Sequence, residues 1–144
     1  MSTWLRLLCI GVAAFIAYNG CRLFLFATFT ASPVPAWWVG LFDNSVSALL
    51  WWSSAIYLTS SSAIAGVVGY ALHRFVGKHG MILAFIVGFA GFVVSVATAR
   101  SLTTPRVLLM QGVLLNFFAA LALPLVVAVA TNVVPKKSHD PAVR

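Results

Sequence analysis

The sequence predicts an all-α, polytopic membrane protein: four transmembrane helices in one small bundle, with both termini on the cytoplasmic side. Three observations carry that prediction. Hydrophobic residues fill 62% of the 144 positions and charged residues 8%, too few to clothe a water-facing surface. The apolar residues fall into four stretches, each about as long as, or longer than, the roughly 20 residues that cross a hydrocarbon core. The charges sit mostly between those stretches. Nine Lys and Arg stand against only Asp43 and Asp140, with no Glu, a balance that suits helix ends on an anionic leaflet. No water-facing segment is long enough to gather these cations into a nucleic-acid patch.

The first span is expected over 4–29, ended by Pro33 and Pro35. Its start resembles a signal peptide, with Arg6 before an apolar run and Tyr18-Asn19-Gly20-Cys21 faintly like a lipoprotein cleavage box. The run resumes at Leu23-Phe24-Leu25-Phe26, so an uncleaved span is expected. Cys9 and Cys21 lie twelve residues apart, about 18 Å along one helix, too far to bridge. They read as small apolar packing residues.

The following loop holds Pro33, Pro35, Trp37 and Trp38 and no Lys or Arg. It is too apolar to hang free, and tandem indoles suit the headgroup zone, so it should lie along the outer surface. The second span is expected over 44–74, capped by Asp43, Asn44 or Ser45. Trp51 and Trp52 should face lipid or a neighbouring helix.

The third span, 80–99, follows a short basic loop, and the fourth, 105–134, opens on Thr104-Pro105 and stops at Pro135. Pro124 should kink it. Residues 135–144 form a short basic tail expected to be mobile. With the N-terminus inside, Arg6, Arg74, Lys78, Lys136, Lys137 and Arg144 are cytoplasmic, and only Arg100 and Arg106 are outside, which sets the orientation.

Helix association in lipid relies on close backbone approach, which small residues permit. The second span carries Ala55, Thr59, Ser62, Gly66 and Gly69 at three- and four-residue steps, and the third carries Ala84, Gly88, Gly91, Ser95 and Thr98. The expectation is an antiparallel hairpin packed along both seams. Weaker sets occur at Gly11, Ala14 and Cys21 and at Gly112, Asn116 and Ala119. Gln111 and Asn116 could hydrogen-bond between helices.

Two polar groups stand out. Arg22, with Asn19 one turn deeper, lies well inside the first span, where a charge must snorkel or find a partner. Asp43 is the only acid outside the tail and should lie at a similar level. The expectation is an outer-face polar pair of Arg22 and Asp43, supported by Asn19, acting as a structural latch or a lipid-phosphate anchor, with part of a solute or ion gate as the alternative. His73, Arg74, Lys78 and His79 form the inner basic loop and should bind lipid headgroups. Two His without a further ligand make no metal site.

No carboxylate pair, phosphate loop or nucleophile–base set is present, so neither an enzyme nor a cofactor is expected. The leading expectation is a non-enzymatic protein of the bacterial inner membrane that packs against a partner, either another membrane protein or a second copy of itself. It would be an accessory subunit or an immunity-type protein. Two alternatives remain: a small oligomeric translocator of an anionic solute or lipid-linked substrate, and a phage holin.

Overall fold

The computed structural model describes residues 3–100 and 106–133, and every regular element within them is helical. The predicted cap Thr104-Pro105 and the tail 135–144 lie outside the described residues, as do the side chains of Lys78, Arg100 and Arg106. The elements are α1 (Thr3–Phe15), a π-helical turn (Ile16–Gly20), α2 (Cys21–Thr30), α3 (Ala36–Val39), α4 (Ser45–Val76), a 3-10 turn (Gly77–His79), α5 (Gly80–Arg100) and α6 (Arg106–Val133). Four helical stretches are long and apolar enough to cross a membrane: Thr3–Phe29, Ser45–Val76, Gly80–Thr98 and Met110–Val133.

Local chemistry explains where these helices start and stop. Asn44 adopts an extended backbone and its side-chain oxygen accepts the Ser47 N–H at 2.7 Å, so it is the N-cap of α4. At the other end Gly77 has φ 63°, a conformation open to a residue without Cβ, and it reverses the chain into α5. With 32 residues, α4 is about 48 Å long, well beyond the roughly 30 Å hydrocarbon core. α6 runs through Pro124, which is buried, as one helix.

The packing corrects one expectation. α4 and α5 touch each other much less than each touches α6, which lies between them. A Cβ on Gly88 would strike the Ala120 carbonyl oxygen of α6, and one on Gly69 would lie 2.8 Å from Val126 Cγ1, also of α6. Gly91 instead accepts the Asn19 side chain of the first span. The two seams therefore do not zip together as a hairpin. α6 meets α5 where the Ala120 backbone lies beside Gly88, a close approach that small residues permit in lipid. Ala14, Tyr18, Ala65, Leu72, Ala84, Val87, Leu123 and Val127 form the core where the four spans meet. Of the weaker sets, Gly11 packs on Leu83, whereas Cys21 is exposed and a Cβ on Gly112 would meet nothing within 4 Å.

The apolar loop also takes a definite form. α3 folds back on the start of α4, where the Trp38 indole N–H donates to the Ala48 carbonyl at 2.9 Å. The Trp37, Trp38 and Trp52 rings meet edge to face at 5.3–6.3 Å. Trp52 thus belongs to this cluster, while Trp51 is exposed.

Candidate functional site

The polar residues converge in the interior, around Arg22. The π-helical turn Ile16–Gly20 inserts extra backbone into the first span immediately before it. Such turns shift the register of the side chains that follow and recur at functional positions. Here Tyr18, Asn19 and Arg22 all point inward, with Arg22 only 1% exposed.

The guanidinium carbon of Arg22 lies 5.4 Å from the ring centroids of both Tyr18 and Tyr57. Each tyrosine is anchored on α6. The Tyr18 hydroxyl donates to the Ala119 carbonyl, and the Tyr57 hydroxyl donates to Asn116 Oδ1 at 2.5 Å. Asn116 Nδ2 in turn donates to the Gly112 carbonyl at 2.8 Å. Phe26 meets the Tyr57 ring edge to face at 5.3 Å. Nearer the α3 end, Gln111 Nε2 donates to Ser54 Oγ at 2.5 Å. The expected interhelical bonds of Gln111 and Asn116 are thus made, both between α6 and α4.

Magnitudes show why this arrangement tolerates a cation. An arginine at mid-membrane costs about 2.5–3.5 kcal/mol by insertion scales. Two desolvated cation–π contacts return about 2 kcal/mol each, enough to offset that cost without a counter-ion. The offset is incomplete at the level of hydrogen bonds: Arg22 Nε, Asn19 Oδ1 and Ser61 Oγ are buried without partners.

Asp43 takes no part. It is exposed beside the Asn44 cap, and no ion pair joins it to Arg22. The reason is depth as well as direction. Arg22 lies eight residues before the end of α2 at Thr30, about 12 Å along the axis, and it turns inward toward the tyrosines. Asn19 accompanies Arg22 in the interior, where its Nδ2 donates to the Phe15 carbonyl at 3.1 Å and its side chain abuts Gly91.

The basic loop lies at the opposite end of the molecule from α3. Arg74 and His79 are exposed there, and His73 Nδ1 lies 3.4 Å from Thr131 Oγ1. Among the described residues no group of His, Cys, Asp or Glu is placed to hold a metal.

The seam residues have unequal fates. Ala84, Gly88, Gly91 and Gly69 are buried and Ser95 is half-buried. Ala55 and Gly66 are half-buried, and Thr59 and Ser62 are exposed. A Cβ on Gly66 would meet nothing within 4 Å. Sequence reasoning missed Tyr18 and Tyr57 as the partners of Arg22. A signal was available, since Tyr18 stands four residues before Arg22 and Tyr57 places a phenol near the middle of an apolar helix. Comparison with known proteins finds no matching family model, no matching curated protein and no matching solved structure.

Proposed function

We propose that this chain is a non-enzymatic, multi-pass protein of the bacterial inner membrane that works by packing the central face of α4 against a membrane partner. In this reading the four spans form a bundle with both termini in the cytoplasm, and Arg22 with its tyrosines locks the bundle internally.

One observation carries the reading. Thr59 and Ser62 lie midway along α4 on its exposed face, two turns and one turn respectively from the open surface of Gly66. Ser53, Ser54 and Ser60 return their hydroxyls to carbonyls of their own helix. Among the described residues, the hydroxyls of Thr59 and Ser62 form no hydrogen bond. A second helix crossing at Gly66 would supply acceptors for both hydroxyls and close backbone contact together. The groove beside this face, between α2 and α4, holds Trp52, whose indole N–H also lacks an acceptor.

The test is extraction in mild detergent of the parent chain and of a variant carrying Thr59→Leu, Ser62→Leu and Gly66→Leu, followed by mass measurement. The parent should run as a complex, with a second copy or with another membrane protein, and the variant as a folded monomer. A parent recovered only as monomer from native membranes would overturn the reading.

The buried cation of Arg22, held by aromatic rings and with its Nε lacking a hydrogen-bond partner, favours a second reading, a small oligomeric translocator of an anionic solute. Arg22→Met keeps the bulk and removes the charge. A flux defect at unchanged stability would favour translocation, and unchanged flux would favour the lock.

A further inference from the structure

We infer that the groove between α1 and α5 holds one acyl chain of an anionic phospholipid, with the headgroup seated at the basic end of the molecule. The groove has a volume of about 550 Å³ and is lined almost wholly by apolar side chains. Its walls are Trp4 to Phe15 on α1 and, from His79 in the 3-10 turn, along α5 to Ala90, and Gly11 against Leu83 forms the floor.

Length and shape select a lipid tail over a helix. Each wall covers eleven residue steps, about 16 Å, or half of a roughly 30 Å hydrocarbon core. A transmembrane helix needs the full thickness. The groove cannot continue, because just beyond Phe15 the Asn19 side chain abuts Gly91 and joins the first span to α5. It is a slot one leaflet deep, closed at mid-membrane and open at the end that bears His79.

Charge selects the headgroup. His79 lines the mouth of the groove, and Arg6 and Arg74 are exposed toward the same end of the helices. The chain brings Lys78 to the same turn. The only acid among the described residues, Asp43, lies at the far end. A phosphodiester headgroup bearing a net negative charge complements that mouth, whereas a zwitterionic headgroup adds a cation of its own. This inference is independent of the partner face on α4, which belongs to a different groove.

Native mass spectrometry of the detergent-purified chain, titrated with phosphatidylglycerol or with phosphatidylcholine, tests it. One phosphatidylglycerol per chain should survive activation that strips all other lipid. Its preference over phosphatidylcholine should be roughly fivefold or more, the size one nearby cation supplies. Val12→Trp and Ile86→Trp each plug the slot from one wall and should abolish retention. Ala63→Trp, in the α2–α4 groove, should leave retention unchanged. Arg74→Ala with His79→Ala should keep a bound lipid but lower the headgroup preference severalfold. Circular dichroism confirms folding of each variant, and either plugged variant suffices if the other misfolds. Equal retention of the two lipids by the parent, or full retention in a folded plugged variant, would overturn the inference.

Discussion

α4 and α5 carry nearly the same alternation of small residues, yet one seam is consumed inside the molecule and the other is left mostly outside. On α5, Gly88 lies so close to α6, and Gly91 so close to Asn19, that neither position has room for a methyl group. On α4, only Gly69 at the end of the run is used in this way, while Thr59, Ser62 and Gly66 face outward. The difference shows what a small-residue pattern specifies in lipid. It marks a face able to approach another backbone and leaves open whether that backbone belongs to the same chain.

Substitutions sharpen this contrast. The largest effect is expected at Gly88→Leu, where backbone on α6 blocks the new side chain. Overpacking typically costs about 1–3 kcal/mol, and a backbone clash should put this variant at or above the top of that range. A fall in thermal stability in detergent checks it, and an unaffected midpoint would break the proposed α5–α6 contact. Arg22→Ala comes next, because it leaves two anchored rings around a void. A loss of about 2–3 kcal/mol is expected, with partial recovery in Arg22→Met, read from the same melting curves. Tyr57→Phe removes the donor to Asn116 and should cost about 1–2 kcal/mol.

Smaller again is Asn44→Ala, which removes the cap of α4 and should cost about 1 kcal/mol. Asp43→Asn sits next to it in sequence and should change stability by less than about 0.5 kcal/mol, as expected of an exposed residue outside any network. A loss as large as that of Arg22→Ala would restore the ion pair that the structure does not form. Gly66→Leu should likewise leave the melting temperature of the isolated chain in place while weakening its association.

The sequence disclosed some of this architecture and concealed the rest for physical reasons. The spans were legible because hydrocarbon thickness sets a minimum length and because Asn44, one of three candidate caps, is a strong local signal. Gln111 and Asn116 were recognisable as interhelical donors because a lone amide in an apolar helix has few other partners. The placement of Arg22 was not legible. Its depth followed from the numbering, but its direction depends on a π turn that has no composition rule, and a carboxylate looked like a more natural partner than two phenols. The seam pairing failed for a related reason. Spacing identifies which face of a helix is small, but the choice among competing neighbours depends on every face at once, including that of α6.

The outward face of α4 can be tested where the protein lives. A photo-crosslinking residue placed singly at Thr59, Ser62, Val67 and Val129 in native membranes reads which surfaces meet another helix. Discrete protein adducts at positions 59 and 62, with lipid adducts alone at 67 and 129, are the predicted result. Adducts that are absent at every position, or equally frequent at all four, would contradict a docking seam on this helix.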